Sequence, residues 1–114
     1  MIQKESRRAR RYDVQVAAEV TCGREALQSM TKNLSESGVC LVTAAQLNEG
    51  AKLDLSLFLV IDGIEDATSP SIDLKAEVIW AAPASENEFL AGCQFTSPSA
   101  KQIETLRSFL KQLE

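Results

Sequence analysis

Hydrophobic and polar residues alternate along most of this chain, with the period of two that places the apolar side chains of a β-strand on one face. The clearest case is residues 53–61, where leucine or isoleucine recurs at every second position. A helix would scatter those five side chains around its axis, whereas a strand aligns them. This stretch therefore predicts a strand with one buried face.

Five further segments show shorter or weaker versions of the same alternation. They are residues 14–20, 26–34, 39–43, 72–80 and 89–95. Turn-forming residues separate them, including Cys22-Gly-Arg24, residues 35–38, 46–50 and 83–88, and a polar connection over 62–71. The buried side of the 26–34 strand is ambiguous, while Trp80 continues the apolar alternation that begins at Ile72. Six short strands predict a mainly β protein with a closed or nearly closed antiparallel barrel.

The period of the pattern changes near residue 97. Ser97 can cap a helix with Pro98 at its first position, and Ser99 with Gln102 offers an alternative capping box. We therefore predict a C-terminal α-helix over about 97–113, packed on the barrel or on a partner chain. Its apolar stripe comprises Ile103, Leu106, Leu110 and Leu113, with Phe109 beside them.

A length of 114 residues predicts a single domain, residues 14–114, preceded by a basic arm over 1–13. No apolar run approaches the roughly 20 residues that span a bilayer, so membrane insertion is not expected. The first residues lack the apolar region of a secretion signal. A cytoplasmic location is the resulting expectation.

The formal charge of −4 is unevenly distributed. Residues 1–12 hold five basic side chains and one acid, a charge of +4, so the remainder carries −8. An acidic body repels extended polyanions, which argues against a role in coating DNA or RNA. Nucleic-acid binding by the arm would instead give an affinity that rises with oligonucleotide length and falls steeply with salt. A small anionic ligand is better suited to this charge distribution.

The side chains that usually carry catalysis are scarce. The chain has no histidine, and its three cysteines, Cys22, Cys40 and Cys93, lie far apart with no Cys-x-x-Cys spacing. We interpret these thiols as reduced and structural. With no activated nucleophile, carboxylate pair or metal cluster to carry chemistry, we expect neither enzymatic activity nor a metal or cofactor.

Two short stretches carry the groups that recognise nucleotides. Residues 6–11, Ser-Arg-Arg-Ala-Arg-Arg, place four guanidinium groups within six residues. Guanidinium forks match phosphate oxygens and the O6/N7 edge of guanine. Residues 33–38, Asn-Leu-Ser-Glu-Ser-Gly, add an amide, two hydroxyls and a glycine. Taken singly, the first is also typical of a solvated basic tail and the second of a hydrogen-bonded turn. Together they predict a nucleotide site.

The same residues carry a family resemblance. Arg7-x-x-x-Arg11 followed by Asn33-x-Ser35-x-x-Gly38 resembles the paired signature of PilZ domains. Val78-Ile-Trp80, Gly92-Cys-Gln-Phe95 and the terminal amphipathic helix then follow in family order, so the resemblance covers nearly the whole chain. It implies a six-stranded antiparallel PilZ-like β-barrel with a C-terminal α-helix that binds the bacterial second messenger cyclic di-GMP.

The resemblance also implies roles for individual residues of the arm. Arg7 and Arg11 occupy the positions that clamp guanine edges and phosphates, and Arg8 is expected to assist them. Ser6 stands where relatives carry an additional arginine that is associated with holding a stacked ligand dimer. Its presence leaves the ligand stoichiometry open, although Arg8 and Arg10 could compensate.

The remaining candidate residues lie on the body of the protein. The Asn33 carbonyl can accept from guanine N1 and N2, Ser35 can bond a ring nitrogen or a phosphate, and Gly38 allows either close approach or positive φ. Trp80 corresponds to a family position that often has an aromatic ring beside the ligand. The alternative for Trp80 is a core residue at the end of the barrel.

The function that follows is a non-enzymatic receptor in which cyclic di-GMP orders the arm and changes the surface offered to an unidentified downstream protein. The alternative is a PilZ-like interaction module that binds a protein and no nucleotide.

Overall fold

The computed structural model describes residues 11–59 and 71–113. Its elements are β1 (Ala17–Cys22), β2 (Glu25–Leu34), β3 (Gly38–Thr43), β4 (Lys52–Phe58), β5 (Ser71–Ser85), β6 (Glu88–Phe95) and α1 (Ala100–Lys111). The predicted arm up to residue 10 lies outside the described residues, and so does most of the predicted 62–71 connection.

The six strands form one closed antiparallel barrel in the order β1-β2-β3-β6-β5-β4. Closure comes from pairing of β4 with β1, in which Leu57 lies opposite Ala18 and Asp54 opposite Thr21. The predicted six-stranded antiparallel barrel with a C-terminal helix is thereby confirmed, and the barrel is closed. Because closure removes free sheet edges, the strands' backbone groups pair within the molecule.

Alternation along the strands fills the barrel with apolar side chains. In β4, Leu53, Leu55 and Leu57 point inward, while Asp54 on the outer face forms an ion pair with Lys75 of β5 at 2.8 Å. Each fully buried leucine contributes about 1.5–3 kcal/mol relative to an exposed one. Within residues 53–59 this pattern therefore supplies a large part of the core, while Ile61 lies outside the described residues.

The helix covers the barrel with the apolar stripe that the sequence predicts. Leu106, Phe109 and Leu110 are buried in the same core cluster as the strand leucines. Of the two possible caps, the structure uses Ser99, whose Oγ accepts from Gln102 N at 3.1 Å while Ser99 N donates to Gln102 Oε1 at 2.7 Å. Within the described ranges, no helix is long and apolar enough to cross a membrane.

Several predicted boundaries shift. The helix is shorter than the predicted 97–113, since it spans Ala100–Lys111. The turn predicted over 83–88 is present but narrower: β5 continues to Ser85, with Pro83 opposite Phe89 of β6, and the turn is formed by Glu86 and Asn87. The strand accommodates the proline next to a bulge, where one residue is already left out of the pairing.

The first strand also begins later than its alternation predicts, at Ala17 rather than residue 14. Backbone of residues 14–16 still follows β2, but part of its hydrogen bonding goes to a side chain. Thr31 Oγ1 donates to Val14 O at 2.6 Å and accepts from Val16 N at 3.0 Å. The buried Thr31 hydroxyl therefore takes the place of backbone hydrogen bonds to β2 where the chain enters the barrel.

Candidate functional site

Four strands contribute one residue each to a transverse row on the outer surface of the barrel. Asn33 of β2 lies opposite Cys40 of β3, Cys40 opposite Gly92 of β6, and Gly92 opposite Trp80 of β5. Directly opposed residues in antiparallel strands share a face of the sheet. Strand register therefore brings together four positions that are distant in the sequence.

A β-bulge in β2 turns Asn33 toward this outer face. Thr31 pairs with Leu41 and Asn33 with Cys40, which leaves Lys32 as an extra residue in β2. Thr31 and Leu34 are both buried, although strict alternation would place them on opposite faces. The bulge resolves this conflict by adding one residue, so that Lys32 and Asn33 both lie outside the core.

A second bulge, in β5, does the same for Trp80. Val78 pairs with Cys93 and Trp80 with Gly92, which leaves Ile79 as the extra residue. Val78 is 1% exposed, whereas Ile79 and Trp80 are 49% and 42% exposed. The sequence-based placement of Trp80 on the same face as Ile72 and Val78 is therefore wrong, because the bulge reverses the alternation just before the tryptophan.

The Trp80 ring lies directly over the backbone of Gly92. A methyl group at Gly92 would overlap the indole atoms Nε1 and Cε2. The close approach at Gly92 is made by the indole ring, whereas the bulge lies on the opposite strand, β5. Absence of a side chain at Gly92 is what lets the aromatic ring lie flat at the edge of the site.

The loop between β2 and β3 is organised by Ser35, which is buried. Its Oγ accepts from the backbone N–H groups of Ser37 and Gly38, both at 3.2 Å, and Ser35 N donates to Gly38 O at 2.9 Å. These contacts are those of the turn-forming alternative for this motif. In this structure the Ser35 hydroxyl thus shapes the loop, whereas the half-buried Asn33 amide makes no hydrogen bond with the residues described.

Gly38 is needed for close packing. A methyl group there would overlap the carbonyl oxygen of Cys93 on β6. Positive φ does not apply, since the described glycines with positive φ are Gly23 and Gly50. The loop is also held from outside: Ser37 O accepts from Phe95 N at 2.9 Å, and Glu36 pairs with Arg107 of α1 at 3.1 Å.

The root of the arm is fixed beside this loop. Tyr12 N donates to Leu34 O at 2.9 Å, and Leu34 N donates to Tyr12 O at 3.0 Å. This two-bond bridge joins the residue next to Arg11 with the residue next to Asn33. It brings the end of one predicted motif to the start of the other, although 22 positions separate Arg11 from Asn33 in the chain.

Together these features enclose a cleft of about 340 Å³ on the barrel surface. Five of the seven predicted site residues line it, and Arg7 and Arg8 lie outside the described residues. Its walls are formed by Arg11, Asn33, Ser35, Ser37, Gly38, Val39, Cys40, Ile79, Trp80, Gly92, Cys93 and Gln94.

Sequence reasoning missed Cys40, Ile79 and Gln94 as members of the cleft. Ile79 and Gln94 stand beside or within the quoted segments Val78-Ile-Trp80 and Gly92-Cys-Gln-Phe95, so their position next to motif residues was a usable signal. Cys40 carried no such signal, because a thiol inside a strand pattern is typical of a core residue.

Burial dominates the electrostatics of the two thiols. It raises the pKa of Cys93 to about 12, and the neighbouring Cys40 adds to that rise. Burial also raises the pKa of Cys40, while the positive charges of Lys32 and Arg11 act in the opposite direction. Both thiols are therefore protonated at neutral pH, which makes them weak nucleophiles.

The cleft brings together side chains of the kinds that bind ligands. It offers a guanidinium, an uncommitted amide and an exposed indole face, and its lining residues in the described ranges include no carboxylate that would repel an anion. Guanidinium and amide groups match phosphates and base edges, and an indole stacks on a planar ring. A planar anionic molecule fits this combination.

Known structures share the fold. The inhibitor of motility from Bacillus subtilis (MotI/DgrA) superposes with a TM-score of 0.74 at 16% identity, covering 92% of this chain and 50% of that one. This chain thus spans half of the length of that protein. The PilZ domain of CeSA from a cellulose-synthesizing bacterium superposes with a TM-score of 0.62 at 18% identity, covering 91% and 97% of the two chains.

Identities this low establish similarity of fold alone, and no curated protein matches the sequence. Family membership comes from the sequence itself, because the family model described as "PilZ domain" matches residues 5–112. That match includes both arginines of the arm motif, the complete β2–β3 loop and the whole of α1. The chain belongs to the PilZ domain family.

Proposed function

We propose that this protein is a non-enzymatic receptor for cyclic di-GMP. The observation that carries the proposal is the cleft in which Arg11, Asn33, Gly38 and Trp80 meet from four separate parts of the chain. PilZ domains are in general receptor modules for this second messenger, and the cleft has the groups that such a ligand needs. Phosphates and guanine edges suit Arg11 and Asn33, and the base plane suits Trp80.

The arm supplies the remaining contacts in this proposal. Tyr12 holds the arm root at Leu34, so Arg11 is already at the cleft before any ligand arrives. Arg7 and Arg8 would close over the bound ligand, and ordering of the arm changes the surface offered to a downstream protein. Pre-positioning of Arg11 lowers the entropic cost of binding, since fewer residues remain to be fixed at about 1–2 kcal/mol each.

Calorimetric titration with cyclic di-GMP tests the proposal. Arg7→Ala and Arg11→Ala each remove a clamp of about 1–3 kcal/mol, so each should weaken binding about 5- to 150-fold, and the double variant should show no measurable binding. Arg11 is exposed and Arg7 belongs to the predicted arm, so their loss should hardly change the melting temperature. A folded double variant that bound as tightly as the parent would refute the assignment of the site.

Trp80 gives an independent optical readout, because it is the single tryptophan in the chain. Stacking of a base on its exposed face should change its emission. Trp80→Phe should keep the fold and weaken binding modestly. Unchanged emission at saturation, with binding established by calorimetry, would place the ligand away from this ring.

The exposed pair Ile79 and Trp80 also favours a second candidate, a module that binds a protein and no nucleotide. Exposed neighbouring apolar side chains are typical of protein contacts. The same titration separates the two, because this candidate gives no heat with cyclic di-GMP.

A further inference from the structure

The bulge in β2 places a basic side chain next to the cleft that neither motif includes. Lys32 is the residue left out of the β2–β3 pairing, between Thr31 opposite Leu41 and Asn33 opposite Cys40. It is exposed, while Thr31 and Leu34 point into the core. Lys32 and Asn33 therefore stand side by side at one end of the transverse row, in the same way that Ile79 and Trp80 stand at the other end.

The two ends of the row differ in character. At the β5 end lie the two exposed apolar side chains of Ile79 and Trp80. At the β2 end lie Lys32 and Asn33, together with Arg11, which precedes the residue that pairs with Leu34. Three strand spacings of about 4.8 Å separate the ends, or about 14 Å in total. The cleft thus has a cationic rim and an aromatic rim, on opposite sides of Cys40 and Gly92.

The positive charge of Lys32 is available to a ligand. Three other described cations are paired across the surface: Lys52 with Glu77, Lys75 with Asp54, and Arg107 with Glu36. Neither Lys32 nor Arg11 has a carboxylate partner among the residues that the structure describes. Both charges also lie near the cleft, since both oppose the rise that burial causes in the pKa of the Cys40 thiol, which lines it.

We propose that Lys32 is a further ligand-binding residue, whose ammonium contacts a phosphate of the bound dinucleotide at the rim it shares with Arg11. This inference rests on the proposed function and adds an orientation: phosphate toward β2 and a base toward Trp80 on β5. A lysine suits this role because its flexible stem carries a compact charge that needs no fixed geometry at a phosphate.

The test is calorimetry with cyclic di-GMP on the parent, Lys32→Gln and Lys32→Arg at low and at raised ionic strength. Lys32→Gln should bind about 3- to 10-fold more weakly at low salt, and its affinity should depend less on salt than that of the parent. Lys32→Arg should retain most of the affinity, because it keeps the charge. All three proteins should melt alike, since the side chain is exposed.

Lys101→Gln is the matched control, because it removes the same charge from an exposed position on α1. It should leave binding unchanged, which separates a contact at the cleft from an effect of net charge. If the parent binds and Lys32→Gln binds equally well at low salt, the role of Lys32 is refuted while the receptor function stands. If the parent does not bind at all, the receptor function and this inference fall together.

Discussion

The contact between Gly92 and Trp80 affects both the packing of the barrel and the shape of the cleft. Gly92→Ala would push the indole off the β6 backbone, and because Trp80 is 42% exposed the ring has room to move. We expect a folded protein with a small loss of stability, a shifted emission spectrum and weaker binding of cyclic di-GMP. Fluorescence, thermal melts and calorimetry on the same sample measure these three effects.

Two further variants test whether the Trp80 ring is the cause of these effects. In a Trp80→Ala background the Gly92→Ala change should cost almost nothing, because the overlapping ring is gone. Gly38→Ala should be worse than Gly92→Ala, by about 1–3 kcal/mol, since the overlapping atom belongs to the β6 backbone and cannot move aside. Equal melting of the two single variants would contradict this account of the glycines.

Removing the buried hydroxyls of Ser29 and Thr31 should change the stability of the barrel in opposite directions. Ser29 Oγ is buried and has no hydrogen-bond partner in the described part of the chain, whereas Thr31 Oγ1 bonds both Val14 and Val16. Ser29→Ala should stabilise the protein by about 1 kcal/mol, because it removes an unsatisfied polar atom. Thr31→Val should destabilise it by about 1–3 kcal/mol, because two backbone groups lose their partner.

Urea unfolding measures both changes, as shifts of the midpoint with an unchanged slope. A stabilisation of 1 kcal/mol corresponds to a rise of about 4 °C in melting temperature for a domain of this size. Loss of stability in Ser29→Ala would show that this hydroxyl is satisfied in solution.

At the scale of elements, the stability of α1 depends on the serine that caps its N-terminus. Ser99 makes both bonds of the capping box with Gln102, whereas Ser97 lies outside the helix at a φ of 47° and its exposed side chain makes no hydrogen bond within the described ranges. Ser99→Ala should therefore cost about 1 kcal/mol, and Ser97→Ala should be nearly neutral. Thermal melts of the two variants check this, and a reversed order would mean that the cap lies at Ser97.

The bulges are the elements that build the site. Without its extra residue, β5 would turn Trp80 into the core, and β2 would turn Asn33 inward and Leu34 outward. Each bulge thus moves a side chain of the cleft to the outer surface while the core keeps its leucines and valines. This explains how a barrel filled with apolar residues can carry a polar cleft on one side.

At the scale of the whole molecule, the ion pair between Arg107 and Glu36 links α1 to the loop between β2 and β3. Both side chains are largely exposed, so Arg107→Ala should change stability by less than about 1 kcal/mol. It would, however, leave the Glu36 carboxylate uncompensated in the loop whose neighbouring residues Ser35 and Ser37 line the cleft. Under the proposed function we expect an affinity for cyclic di-GMP about 2- to 5-fold lower at low salt, an effect that fades as salt screens the charge.

Glu36→Gln in the Arg107→Ala background should restore the affinity, because it removes the repelling charge. Lys75→Ala is the control, since it breaks a comparable exposed pair with Asp54 on another part of the barrel. If calorimetry gives the same affinity for the parent and Arg107→Ala at low salt, the helix has no part in binding.

The sequence by itself determined what depends on local order. Alternation of period two identifies strands such as β4 because neighbouring side chains of an extended chain must point to opposite faces. The apolar stripe of α1 follows in the same way from the helical period, and turn residues separate the elements. The identity of the arginines, Asn33 and Gly38 was likewise sufficient to indicate a nucleotide site and a PilZ relationship.

Tertiary structure decided what depends on pairing between distant segments. Whether Trp80 faces the core or the cleft depends on a bulge that is defined only against β6, and strand alternation alone gives the opposite answer. The continuation of β5 through Pro83 and the place of Cys40 in the cleft both depend on neighbours supplied by other strands. The cap at Ser99 is also tied to a strand, because Gln102 of its capping box donates to Asp73 O of β5. Such neighbours are fixed by register across the closed barrel, which is a property of the whole chain and not of any one segment.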